Sequence, residues 1–486
     1  MSAYPRPLNF INGKWVAPAS GKTIAMIAPS DGKQFAEIAR GTAPDIDRAV
    51  AAARAAFEGK WGATTAVERG RALGRMSALI LANAGELADL EARDAGKPMK
   101  QARNDIAVAA RYFEFYAGAA DKIMGDTIPF LTGYQVMVLR EPRGVTAHII
   151  PWNYPAQMFA RTVAASLAAG NAVVVKPAEE ACLSTISMTE LFAEAGLPPG
   201  TLNLVTGLGE ESGAALAANP GIDLLSFTGS PEVGTLVQQA AARNHVPCVL
   251  ELGGKSPQIV FADADLNRAT DAIVNAIVQN AGQTCSAGSR ALIEEKIYPE
   301  FMKVLGDRFR ALKTGPHNLD LDCGPLISAE QKARVEKFLA RAKQDKIVTV
   351  ATGTLDPRAP ASGFYIAPTL LDRVPPDHML AQEEVFGPVL AAIPFKDEDD
   401  AIRIANGTAF GLVAGVWTEN GGRQMRMAKA IRAGQVFING YGAGGGVELP
   451  FGGFRHSGHG REKGMESLRE FTVAKTVIFN HQKPGG

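Results

Sequence analysis

The residue type most able to do chemistry in this chain is the cysteine of Gly282-Gln283-Thr284-Cys285-Ser286-Ala287. It follows a run at 267–280 whose apolar residues Ala269, Ile273, Ala276 and Ile277 recur at helical spacing. The glycine is expected to break that helix and start a turn. A cysteine just past such a break can expose its sulfur in a cleft. Thiolate is the reactive form, so a nucleophilic Cys285 needs surroundings that lower its pKa. Taken alone, a cysteine reads first as a small buried hydrophobe. Other stretches reverse that preference.

Glu251-Leu252-Gly253-Gly254-Lys255 puts a carboxylate at the end of an apolar strand. Burial there raises its pKa and suits it to general-base work. An unpaired buried glutamate is rarely tolerated, so the bland reading is weak. Pro151-Trp152-Asn153-Tyr154-Pro155 is an aromatic turn whose Asn153 amide can donate to a developing oxyanion. The alternative is a rigid packed turn. Ser226-Phe227-Thr228-Gly229-Ser230-Pro231 runs from a strand into a helix, with Ser230 as N-cap and Pro231 at the first helical position. Free N–H groups and a close approach at Gly229 suit a pyrophosphate, although an ordinary strand-to-helix turn reads the same way. In Lys176-Pro177-Ala178-Glu179 the lysine can donate to ribose hydroxyls, and the glutamate can accept from an adenosine 2′-OH. A carboxylate there repels a 2′-phosphate and favours NAD over NADP. A solvated charged loop is the alternative. Gly207-Leu208-Gly209-Glu210-Glu211-Ser212-Gly213 departs from the dinucleotide fingerprint spacing, and its acidic pair would repel phosphate.

These groups need elements to hold them. Apolar runs at 145–150, 172–175, 202–205, 224–227 and 248–252 alternate with helical runs centred on 159–169, 185–195, 211–218 and 233–242. That pattern predicts a parallel sheet covered on both faces, with ligands beyond the carboxyl ends of its strands. A second alternation places strands at 258–261, 290–293, 389–393, 413–417 and 435–438. Before these, 10–15 reads as a hairpin with an Asn-Gly turn. Asp45-Ile46-Asp47 is a candidate cap for a helix through Phe57, and 65–85 and 86–96 read as two more helices. Tyr112, Phe113, Phe115 and Tyr116 form an aromatic cluster that could be a ligand surface, although core or subunit packing is the stronger reading. An extended excursion at 125–143 and a terminal strand at 471–479 read as exposed edges that another subunit covers.

Fifty basic and fifty acidic residues in 486 give a formal charge of zero, so nothing favours nucleic acid or an anionic membrane. The four cysteines have no metal-like spacing, which suits a reducing, cytoplasmic setting without a metal. Residues 1–15 lack an apolar signal-peptide core, and no apolar run is long enough for a membrane span.

Together the chain resembles the NAD(P)-dependent aldehyde dehydrogenase superfamily over nearly its whole length. The resemblance is carried by seven stretches in family order: 151–155, 176–179, 227–230, 251–257, 282–285, Glu383-Glu384-Val385-Phe386-Gly387-Pro388, and 450–458. It implies an α/β fold with a Rossmann-like cofactor domain (1–124 and 144–252), an α/β catalytic domain (253–465) and a β-arm for oligomerisation (125–143 and 466–486). It implies Cys285 as nucleophile, Glu251 as base, and Asn153 with the Cys285 backbone N–H as oxyanion hole. NAD is the implied cofactor. It implies Pro151 and Trp152 against it, Lys176 and Glu179 on the adenosine ribose, Gly229 and Ser230 at the pyrophosphate, and Glu384 and Phe386 at the nicotinamide end. Tyr154, Arg161 and Phe451 fall on the substrate side. The implied reaction oxidises an aldehyde to its acid through a Cys285 thiohemiacetal and thioester, in a homodimer or homotetramer. Glu251 favours hydrolysis over transfer to coenzyme A; a non-catalytic protein on the same scaffold is the remaining rival.

Arg161 lies on the helix after the aromatic turn and is expected to favour an acidic or oxygenated aldehyde. A helix arginine paired within the protein is the alternative, and Gln279 stands where similar semialdehyde enzymes carry a second arginine. The loop 442–446, with four glycines before Pro450-Phe451, is expected at the substrate entrance.

Overall fold

The computed structural model describes residues 4–442 and 446–482. The core of the loop 442–446 therefore lies outside the described residues. Two large sheets organise the chain. In the first, the strands Leu202–Leu204, Ala172–Pro177, Val145–Ile150, Leu224–Thr228 and Cys248–Glu251 lie side by side in that order, all parallel. Four of the five are buried along their whole length, because helices cover both faces. The first two strands after Val145–Ile150 are laid to one side of it and the next two to the other. The order therefore reverses between Val145–Ile150 and Leu224–Thr228, which opens a crevice at their carboxyl ends. The hairpin Asn9–Ile11/Lys14–Val16 extends one edge. Its turn uses Asn12 and Gly13, both at positive φ (52° and 73°), as the twist of a two-residue hairpin demands.

The second sheet runs Thr349–Thr352, Thr369–Leu371, Val389–Phe395, Arg290–Glu294, Pro257–Val260, Val413–Trp417, Gln435–Ile438. The two strands at 349–352 and 369–371 were not anticipated; they are short and sit among turn residues. The amino ends of this sheet carry the segments at 253–256, 282–289 and 384–388, so they face the carboxyl ends of the first. The chain also crosses back late: Gly458–His459 pairs antiparallel with Cys248–Glu251.

Three local expectations change. The first long helix, Ala43–Glu58, is capped by Thr42, with Asp45 closing a capping box from the third position; the threonine precedes the carboxylate and wins the cap. The excursion and the terminal strand are not two separate edges. Tyr134–Pro142 pairs with Thr472–Asn480 along its whole length and is the central strand of a three-stranded sheet, whose edges are Asp126–Ile128 and Thr472–Asn480. The helix before Cys285, Leu266–Val278, ends ahead of the glycine: Asn280 and Ala281 already have φ of 49° and 55°, and Gly282 follows at 74°. Two non-glycine residues in the left-handed region mark a backbone held there by its surroundings. Among the described residues, no helix is long and apolar enough to cross a membrane, and no cluster of His, Cys, Asp or Glu could hold a metal ion.

Candidate active site

The crevice at the strand-order reversal opens into a cavity of about 530 Å³ between the two sheets. Pro151, Trp152 and Asn153 enter it from the end of Val145–Ile150, Gly229 and Ser230 from the end of Leu224–Thr228, and Glu251 from the end of its own strand. Cys285, Glu384 and Phe386 enter from the opposite sheet. Nine of the residues singled out in the sequence therefore share one wall system.

At one end of this cavity begins the helix Pro231–Ala242. The Ser230 hydroxyl accepts from the Val233 amide at 3.3 Å, which fixes the first turn as a cap. A Cβ on Gly229 would sit 2.5 Å from the Phe227 ring, so only glycine leaves this approach open. Lys176 and Glu179 lie outside the cavity wall. The Lys176 Nζ donates to Glu179 at 2.6 Å, and the other Glu179 oxygen accepts from the Gly209 amide at 3.0 Å. Burial pushes this carboxyl up, but Lys176 and the Gly209 amide outweigh it and hold it below its ordinary value. The glycine loop 207–213, set aside from sequence, thus flanks Glu179. Its Glu211 is paired bidentately with Arg40, at 2.9 and 2.6 Å. At the other end Trp152 meets Phe386 edge to face at 5.4 Å. Glu384 accepts from the Gly254 amide at 2.9 Å; burial raises its carboxyl to about 7.

Cys285 is half-buried, and the expectation of a lowered pKa is corrected here. Burial pushes its thiol up to about 12; the Arg161 charge opposes this, while Glu384 and Glu251 reinforce it. Glu251 is 1% exposed, and burial pushes its carboxyl well above the ordinary range, with Arg161 again the main opposing charge. Neither Glu251 oxygen has a hydrogen-bond partner among the described residues. Asn153 donates its amide to the Gln283 carbonyl at 3.0 Å, which ties it to the cysteine loop.

Behind Cys285 lies a second, smaller cavity of about 40 Å³, lined by Tyr112, Tyr154, Gln157, Arg161, Phe451 and Lys463 among others. The Tyr154 hydroxyl and Thr284 Oγ1 are 2.8 Å apart. Arg161 is buried on the helix Pro155–Ala169. Its Nε is 2.5 Å from Glu462, its Nη2 is 3.7 Å from Glu251, and its guanidinium stacks over Phe451 at 4.6 Å. Glu462, Lys463 and Gln157 escaped the sequence reading as site residues, while Tyr112, read first as packing, also lines the cavity. Arg461-Glu462-Lys463 looks like a solvated charge run, yet Glu462 and Lys463 are at most 1% exposed. The flanking Gly460 and Gly464, both at positive φ (81° and 57°), were the signal that this run turns inward.

The geometry defines a class: a two-sheet α/β enzyme with a dinucleotide-type crevice meeting a cysteine loop. The chain belongs to the aldehyde dehydrogenase family, whose model matches residues 15–477. It is 43% identical over 480 residues to aldehyde dehydrogenase family 2 member B4, mitochondrial, of Arabidopsis thaliana, covering 98% of this chain and 88% of that one. It is 40% identical over 476 residues to betaine aldehyde dehydrogenase of Bacillus subtilis, covering 97% of each. Among solved structures, a candidate aldehyde dehydrogenase from Burkholderia cenocepacia superposes with a TM-score of 0.97 at 64% identity, over 98% of this chain and 100% of that one. An NAD+ complex of the Bacillus cereus aldehyde dehydrogenase superposes with a TM-score of 0.95 at 38% identity, over 98% and 97%.

Proposed function

We propose that this aldehyde dehydrogenase uses NAD and a hydrolytic, thioester-forming route. The observation that carries the reading is the convergence of Cys285, Glu251 and Asn153 on one cavity between the sheets. The residues present fit the cofactor. A capped helix start with an open glycine suits a pyrophosphate, Glu179 suits a ribose 2′-OH, and Trp152, Glu384 and Phe386 wall the far end. When bound there, NAD supplies the hydride acceptor.

The chain's own groups do the rest. Cys285 must lose a proton that burial makes costly; Arg161 is the charge that most favours its loss. The thiolate adds to the aldehyde carbon, and the oxyanion that forms takes a hydrogen bond from the Asn153 amide. After oxidation a Cys285 thioester remains. Glu251, buried and with both oxygens unoccupied, takes a proton from water as that water attacks the thioester. The acid leaves and the thiol is restored. A carboxylate kept free in this way supports hydrolysis over transfer to coenzyme A. The sequence boundaries give a working division: 1–124 and 144–252 hold the cofactor, 253–465 carries the nucleophile, and 125–143 with 466–486 pair subunits. Exposed Ile478 and Phe479 on the three-stranded sheet, with exposed Phe130 and Leu131 in the turn that joins two of its strands, support a homodimer or homotetramer. The four unpaired cysteines suit a cytoplasmic setting.

For the substrate we favour an acidic or oxygenated aldehyde. Arg161 and Lys463 line the small cavity beside Cys285; Arg161 is also paired with Glu462, and burial lowers the Lys463 ammonium to about 7. An aldehyde panel followed by NADH absorbance tests the reaction; acyl-coenzyme A as product, or no NADH with any aldehyde, overturns it. Succinate semialdehyde against hexanal, in wild type and Arg161→Ala, tests the substrate. The substitution is expected to cost far more on the acidic aldehyde, and equal losses reject carboxylate recognition.

A further inference from the structure

We propose that Asn280 is a positioning residue that, with Lys97, fixes the Asn153 amide against the cysteine loop; this rests on the oxyanion reading of Asn153. The backbone carbonyl of Asn153 accepts two hydrogen bonds. Lys97 Nζ donates at 2.9 Å and Asn280 Nδ2 at 2.8 Å. A carbonyl has two lone pairs, and both are taken. The peptide plane after Asn153 is thereby fixed, and with it the direction of the side chain.

The two donors come from different parts of the molecule. Lys97 is wholly buried and held by Glu91 at 3.0 Å and Asp105 at 2.7 Å, packed beside the first sheet. Asn280 sits in the bend that leads to Cys285. Its amide also reaches the Gln283 carbonyl at 3.3 Å, the same oxygen that receives the Asn153 amide at 3.0 Å. Gln101 accepts from the Asn280 backbone amide at 3.0 Å and helps hold the bend. Asn280 therefore touches both ends of the Asn153 side-chain geometry and neither cavity wall. Its left-handed backbone, φ 49°, is a conformation that asparagine tolerates better than most residues, which explains an amide at this position twice over.

The test uses Asn280→Gly, which keeps the left-handed backbone and removes only the amide, and Asn280→Asp, which keeps the shape and turns an oxygen toward two carbonyls. Thermal unfolding, kcat, and KM for aldehyde and for NAD are measured for each, beside Asn153→Ala and the double variant Asn153→Ala/Asn280→Gly. The expected result is a fall in kcat of about 10- to 100-fold in both Asn280 variants, the scale of a misplaced catalytic group, with KM for NAD within about twofold of wild type. In the Asn153→Ala background, Asn280→Gly should cost nothing further, because it acts through Asn153. Wild-type kcat in Asn280→Gly overturns the proposal, and so does a full additional loss in the double variant. Wild-type kcat in Asn153→Ala instead removes the oxyanion reading, and leaves Asn280 nothing to position.

Discussion

Two buried charge clusters touch the Pro155–Ala169 helix, one centred on Lys97 and one on Arg161, and they are built differently. In the first, Lys97 meets Glu91 and Asp105, and every carboxylate oxygen is occupied. Glu91 accepts from Lys97 and Ser184, and Asp105 from Lys97 and Gln157. Burial alone would strip the proton from Lys97, but the two carboxylates outweigh it and hold the ammonium above its usual value. In the second, Arg161 meets Glu462 and Glu251. Glu462 accepts from Ser226 with one oxygen and meets the Arg161 Nε at 2.5 Å with the other, while both oxygens of Glu251 lack hydrogen-bond partners among the described residues. A satisfied buried network stiffens what it touches; an unsatisfied one keeps a group available at a cost in stability. The first cluster therefore suits a scaffold for the Asn153 turn, and the second leaves Glu251 available, as the proposed chemistry needs.

The sharpest way to break that contrast is to remove the free carboxylate. Glu251→Gln is expected to slow turnover by about 10²- to 10⁴-fold, the usual worth of a general base. Cys285 should then accumulate as an acyl adduct visible by intact-protein mass spectrometry, with one equivalent of NADH released in a burst. Unchanged steady-state turnover would return Glu251 to the scaffold. Lys97→Met makes the converse test. It leaves Glu91 and Asp105 buried without their cation, a loss of about 3–5 kcal/mol. A large fall in the thermal midpoint is expected, and an unshifted midpoint would show that the first cluster does not carry the scaffold.

The same contrast predicts a pH dependence of definite sign. Glu251 has a folded-state pKa raised above its ordinary 4.5 by burial. Above that value the native state binds more protons than the unfolded chain, so this group costs stability as pH rises toward its folded pKa. The stability advantage of Glu251→Gln over wild type should therefore grow with pH from about 4.5 upward, by at most about 1.4 kcal/mol per unit. The kcat of wild type should climb through the same window as the carboxylate forms. A difference in midpoint that is flat with pH would mean that Glu251 is already ionised in the fold.

The sequence made the parallel sheet legible because its strands are continuous apolar runs, and a run buried on both faces has no other pattern to show. Cys285, Glu251 and Asn153 were legible because each follows a strand or helix end, where side chains must face a crevice. The turns at 151–153 and 229–230 were readable for the same reason. What stayed hidden was pairing across distance. Nothing near Asn153 announces that Lys97 and Asn280 meet its carbonyl, since those contacts exist only after two sheets pack. Glu462 and Lys463 were hidden by their own charge, because a charged run reads as surface until the backbone turns it inward. The surroundings of Cys285 stayed hidden for a related reason: local sequence shows a nucleophile's neighbours along the chain, while the apolar cluster of Leu412, Val413 and Phe451 that it packs against comes from distant segments.

A third pair tests where between these extremes a recognition group lies. Lys176 and Glu179 are bonded to each other, as in the first cluster, yet the Glu179 side chain remains 24% exposed. If the carboxylate discriminates between cofactors, its charge matters and its shape does not. Glu179→Gln keeps an acceptor for the Gly209 amide and removes only the charge. It also leaves the buried Lys176 cation without its partner, at a position where a 2′-phosphate would meet it. The ratio of kcat/KM for NADP to that for NAD should rise by about tenfold, equivalent to about 1.4 kcal/mol. Thermal stability should fall by less than in Lys97→Met, because Lys176 is buried but Glu179 is partly exposed and its glutamine still offers an acceptor. An unchanged cofactor ratio with a lower thermal midpoint would reverse the assignment and make Glu179 a strut for the glycine loop, bound to Lys176 for the same reason that Glu91 is bound to Lys97.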